Sequence, residues 1–136
     1  MRKFIGIILG LVVAIALTDA GWGLAARWFP SPVDPASDAD MLAAYVIRMP
    51  AGGQLLVAAG WFAAGLAGAF AALRIAQWRP AGWIVGVLVV LLGLWNLTQL
   101  AQPLWMQAMS VIAPLAGCWL AERHFHRARP GDPLIN

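Results

Sequence analysis

Charge is scarce in this chain: Asp, Glu, Lys and Arg make up 11% of its 136 residues, against about a quarter in soluble domains. A surface that poor in charge cannot face water on all sides, so an ordinary water-soluble fold is excluded. Cysteine is nearly absent. Cys118 stands alone, which rules out an intramolecular disulfide, carries no redox information and reads as a small packing residue. Two histidines and six acidic residues are too few titratable groups to furnish a catalytic cleft. Ser110 has no His or acid near it in the sequence, and neither a nucleophile elbow nor a phosphate-cradling glycine loop is present. His124 and His126 flank Phe125, but residues two apart point to different helix faces and no further ligands accompany them. No metal, no cofactor and no enzymatic reaction are expected.

What the chain has in abundance is apolar length. Residues of hydrophobic type make up 62% of it, gathered in four runs over 4–26, 53–73, 81–101 and 103–120. About 20 residues of helix cross ~30 Å of hydrocarbon, and lipid offers no partner for a bare peptide group, so each run must become a helix. The expected fold is all-α: one domain over 1–136, a polytopic membrane bundle of four transmembrane helices. The net charge of +3 and the pI near 10 do not point to nucleic acid, because the basic residues sit at helix ends rather than in a stripe among surface aromatics. Arg2, Lys3, Arg74, Arg79, Arg123, Arg127 and Arg129 flank the runs on one side. The other side holds Arg27 and Arg48 beside Asp34, Asp38 and Asp40. Basic flanks stay in the cytoplasm, so both termini are expected there, with the loop 27–52 outside and 121–136 as a cytoplasmic tail. Met1-Arg2-Lys3 and the run to Leu17 also have the form of a secretory leader, but Thr18-Asp19-Ala20 fits a cleavage site only loosely. The first run is therefore read as a retained helix.

The loop opens with Trp28-Phe29-Pro30-Ser31-Pro32, where proline blocks helix continuation and Trp22 and Trp28 suit an interfacial aromatic belt. Ser37, Asp38 and Asp40 then suit a first helical turn, and Met41, Leu42, Tyr45 and Val46 recur at helical spacing. That spacing predicts a short interfacial helix on the outer, periplasmic side, ending near Met49-Pro50.

Runs two and four echo each other: residues 66–74 align with 115–123 at one offset, and a fainter match sets Asp19 against Asn96 and Trp28 against Trp105. Together these predict two helical hairpins in parallel about a pseudo-twofold axis along the membrane normal. Transmembrane helices pack best where small residues let backbones approach. Run two carries Gly60, Ala64, Gly68 and Ala72 at steps of four, and run four carries Ala113, Gly117 and Ala121. The expectation is that these two strips meet, with runs one and three flanking them, and the competing arrangement is a homodimer that uses one of the strips. Gly6, Gly10, Gly82, Gly86 and Gly93 supply small residues in the flanking runs, and Pro114 is expected to bend the fourth.

Asp19 is the only ionisable group inside a run, and such a group costs ~2.5–3.5 kcal/mol at mid-helix, which makes it a functional candidate by default. Asn96 shares a helical face with Gly86, Gly93 and Gln99 and is expected to point into the bundle. The pair reads as a structural clamp, as a proton or cation site, or with Asp19 as a solvated carboxylate that has no partner.

With Met49-Pro50 before run two, its small-residue strip, and Asn96 followed by Gln102-Pro103-Leu104-Trp105-Met106, the chain resembles the uncharacterised small four-helix inner-membrane proteins of Gram-negative bacteria. The resemblance covers most of the length and implies the fold only; the bacterial inner membrane is the expected location. It departs at Gln102, where such proteins often carry a histidine before the Pro-x-Trp step, so no ionisable role is expected there. The functional expectation is a non-enzymatic structural, assembly or accessory subunit in the lipid bilayer, with a homo-oligomer or another membrane protein as partner. The competing reading is a small oligomeric transporter or channel using Asp19 and Asn96.

Overall fold

The computed structural model describes residues 1–31, 39–99 and 102–125. Asp34, Ser37, Asp38, Ala101, His126, Arg127 and Arg129 lie outside the described residues.

Five helices account for nearly everything described: α1 (Arg2–Trp28), α2 (Ala39–Arg48), α3 (Ala51–Ala76), α4 (Pro80–Gln99) and α5 (Leu104–Phe125). All but α2 are long and apolar enough to span a membrane, and they pack against one another as a multi-pass bundle. α1, at 27 residues, is about 40 Å long at 1.5 Å per residue. α5 runs five residues beyond the expected end at 120, through Arg123 and His124, since nothing in Ala121–Phe125 opposes helix once the chain leaves the bilayer. Proline marks two of the starts. Pro50 accepts from the Gly53 and Gln54 backbone amides, and Pro80 opens α4, where its missing N–H is harmless. The α3–α4 turn is closed by Gln77, a non-glycine residue at φ 48° whose amide bonds the Leu73 carbonyl.

α3 is the hub. It lies antiparallel to α1 along its length: Gly6 meets Ala76, Gly10 meets Gly68 and Ala72, and Gly21 meets Gly60. On another face it runs parallel to α5, with Gly65 against Pro114, Gly117 against Phe62 and Leu66, and Ala69 and Leu73 beside Cys118 and Ala121. α4 closes the bundle, with Val85 beside Gly10 and Gly68, Gly86 on Cys118, and Gly93 on Ser110.

This arrangement corrects one expectation. Gly60, Ala64, Gly68 and Ala72 do not face α5. They face α1, while Ala113, Gly117 and Ala121 of α5 pack on a second strip of α3 that includes Ala58, Gly65 and Ala69. Small residues cover so much of the α3 circumference that spacing alone could not say which strip met which neighbour. The two hairpins, α1 with α3 and α4 with α5, do stand side by side in the same sense. α4 also leans on α3, however, and α1 and α5 have no comparable seam, so the echo does not close into a twofold.

α2 behaves as a plug. Val46 and Met49 are buried with Ala25, Val57, Ala58, Trp61 and Met106, and the buried Gln54 side chain donates to the Val46 carbonyl at 3.1 Å. At the opposite end, Arg2 donates to the Ile75 carbonyl, Lys3 lies 5.0 Å from the Trp78 ring centroid, and Arg79 pairs with Glu122 at 3.1 Å. The basic residues Arg2, Lys3, Arg74, Arg79 and Arg123 are thus gathered at one end of the bundle.

Candidate functional site

The bundle is not sealed along its whole length. In the half nearer the basic end, Ala14, Ala64, Ala72, Ala81, Val85 and Val89 are buried together, and glycine lets the α1 and α3 backbones touch. Toward the α2 end α4 parts from α1, and a cleft of about 170 Å³ opens between them. Thr18, Asp19 and Ile15 form one wall, Asn96, Leu92 and Gly93 the other, and Trp61, Ser110 and Pro114 lie between.

Each element contributes for a reason legible in its chemistry. Gly93 faces the Ser110 backbone oxygen, 3.3 Å from where a Cβ would stand, which lets α4 approach α5 below the opening. Pro114 has no N–H to offer the carbonyl four residues earlier, which is that of Ser110, so this oxygen loses its regular helical donor. Thr18 donates its hydroxyl to the Ala14 carbonyl at 3.0 Å, Ser110 to the Gln107 carbonyl at 2.7 Å, and Asn96 one amide hydrogen to the Leu92 carbonyl at 3.3 Å. Asp19 is exposed and has no partner among the described residues. Seventeen residues after Arg2, it stands about 25 Å up the α1 axis, in the half of the helix nearer α2.

Asp19 and Asn96 therefore line one cleft, as opposite walls, with no direct hydrogen bond between them. Asn96 does not point into the closed interior as its face-mates Gly86 and Gly93 do. It sits exposed on the rim, because α4 has already diverged from α1 at that height. The sequence reading missed Thr18, Ser110 and Pro114 as site residues. The four-residue spacing of Ser110 and Pro114 was the available signal, since it frees one carbonyl at a known place. Among the described residues no group of three or more His, Cys, Asp or Glu side chains comes together to hold a metal.

Cys118 lies away from the cleft, buried at the α3–α5 seam, where its thiol donates to the Gly65 carbonyl at 3.4 Å. Gln102 is the other notable polar group. Its backbone carbonyl accepts from Gln107 Nε2 at 2.8 Å, but its side-chain Oε1 and Nε2 are both buried without a partner among the described residues. Leaving buried amide groups unpaired costs about 1–3 kcal/mol, and methionine has the same unbranched reach with no such demand. Gln102→Met is expected to stabilise the fold by about 1 kcal/mol, read from the midpoint at which Cys118 becomes reactive to a thiol-specific fluorophore on heating. A lowered midpoint would mean that the amide has a partner.

Compared with protein-family models, with curated proteins and with solved structures, the chain matches none.

Proposed function

We propose that this multi-pass membrane protein is a non-enzymatic accessory or assembly subunit of the bacterial inner membrane, acting by holding a membrane neighbour against its side. The observation that carries this reading is the cleft between α1 and α4, where the exposed carboxylate of Asp19 has no partner among the described residues. A carboxylate on an apolar helix is stabilised by a partner, and a membrane neighbour docked against α1 and α4 would supply one. The basic cluster at the end opposite α2 supports cytoplasmic termini.

Purification in lipid nanodiscs with chemical crosslinking is expected to return a homo-oligomer or a complex of fixed stoichiometry. A bare 14.5 kDa monomer with nothing bound would overturn the reading.

A transporter is favoured by one observation, the placement of Asp19 and Asn96 on the same cleft. Below the cleft, however, the axis is filled by Ala14, Ala64, Val85 and Val89, so a path through one copy requires a different packing of α1 and α4. Unchanged saturable flux in Asp19→Asn would remove the coupling role from that reading.

A further inference from the structure

The hydrogen-bonding character of the cleft is one-sided. The hydroxyl hydrogens of Thr18 and Ser110 point into their own helices, as does one amide hydrogen of Asn96. What these groups have left is lone pairs. Asp19 as a carboxylate only accepts, and the Ser110 carbonyl has lost its helical donor to Pro114. The remaining donors are the second amide hydrogen of Asn96 and the Trp61 indole N–H, against four accepting side chains on three helices. An occupant that satisfies this lining has to bring several N–H or O–H donors and a positive charge.

Size narrows the class. A cavity of about 150 Å³ holds one benzene, so about 170 Å³ holds a fragment of similar bulk and leaves a bare monovalent metal ion loose. Trp61 adds an aromatic surface to the lining, and such surfaces attract ammonium groups. Position narrows it further. Asp19 lies near the α2 end of its span, where headgroups begin, and Ile15 and Leu92 beside the opening are exposed and apolar. They suit the first methylenes of a chain whose polar end has entered the cleft.

We propose that the cleft binds a primary ammonium group, with Asp19 as counter-ion, Thr18, Asn96 and Ser110 as acceptors, and the rest of the ligand lying outside between α1 and α4. The inference deepens the reading of the cleft as a place of lateral binding and rests on it. The same chemistry has two sources, the headgroup of an aminophospholipid or a free amine, and the experiment separates them.

The full chain is placed in nanodiscs of phosphatidylcholine alone, whose quaternary nitrogen has no N–H. Thermal unfolding is followed by fluorophore labelling of Cys118, which is buried at the α3–α5 seam away from the cleft. n-Butylammonium chloride is expected to raise the midpoint saturably, while sodium chloride, tetramethylammonium chloride and sodium butyrate do not. Asp19→Asn keeps the shape and is expected to weaken the effect about ten- to hundredfold, the worth of a charge-assisted hydrogen bond. Asn96→Leu, an exposed position, provides a second variant and is expected to weaken it less. Discs containing phosphatidylethanolamine give the raised midpoint without added amine if the source is lipid, and leave the butylammonium response unchanged if it is a free amine. Equal shifts with tetramethylammonium or sodium, full response in Asp19→Asn, or no response in either disc would overturn the proposal. An amine-binding monomer with no partner would sink the assembly reading alone, and an oligomer indifferent to amines would sink this one alone.

Discussion

Gly65→Ala is expected to be among the most damaging single-methyl changes available in this protein. The added carbon would meet the Pro114 carbonyl oxygen and stand 2.6 Å from the Pro114 Cα and 2.8 Å from its carbonyl carbon. These are backbone atoms, with no rotamer through which to yield. Overpacking a well-filled core costs about 1–3 kcal/mol, and sometimes more. With α5 fixed by its proline the upper end, about 3 kcal/mol, is expected here, set against ~0.5–1 kcal/mol of helix propensity gained on replacing glycine. Gly23→Ala is the internal control: nothing lies within 4 Å of the new methyl, so only the propensity gain remains and a slight stabilisation is expected. Helix content followed through a denaturing-detergent titration would separate the two. Equal midpoints would mean that α3 and α5 do not cross at Gly65.

The second large effect belongs to the other seam. At Gly10 an added methyl would lie 2.6 Å from the Gly68 carbonyl oxygen, 2.9 Å from the Ala72 Cβ and 3.2 Å from Val85 Cγ2, so both α3 and α4 would have to move. Gly10→Ala is expected to cost about 2 kcal/mol, and Gly10→Val more. Further along the same seam Gly21 faces Gly60 with its nearest atom 3.1 Å away, a gap that a few tenths of an ångström of adjustment can open. Gly21→Ala should therefore be far milder than Gly10→Ala. This gradient bears directly on which helix the Gly60–Ala72 strip serves. Had the strip met α5, Gly10 would face lipid, and its substitution would be silent in the same titration.

The sequence and the structure divide the cleft between them in an instructive way. Asp19 stood out because an acid within an apolar run is expensive wherever the run ends up. Asn96 stood out for a related reason, yet its direction was misjudged: helical phase places it with Gly86 and Gly93, and only the divergence of α4 from α1 turns it outward onto the rim. Thr18 and Ser110 were unremarkable in sequence, since a hydroxyl bonded to its own helix is common and neutral in an apolar span. Their relevance depends on three helices bringing them to one height.

α2 shows the same division. The recurrence of Tyr45 and Val46 and the Met49-Pro50 stop foretold a short helix, and Ala39–Arg48 is one. That Val46 and Met49 would plug the mouth of the bundle above Trp61 and Met106 was not contained in their spacing, because an apolar face can be covered by lipid as well as by protein.

By itself, the sequence determined the medium and the elements: its apolar runs are long enough and poor enough in charge that helices across a bilayer are the only way to satisfy their backbones. It also determined where the expensive group would be, at Asp19. The tertiary structure alone decided which small-residue strip faces which helix, because packing between transmembrane helices is driven by backbone approach and shape rather than by a hydrophobic gradient that a pattern could reveal. From that choice follows the parting of α1 and α4, and with it the cleft.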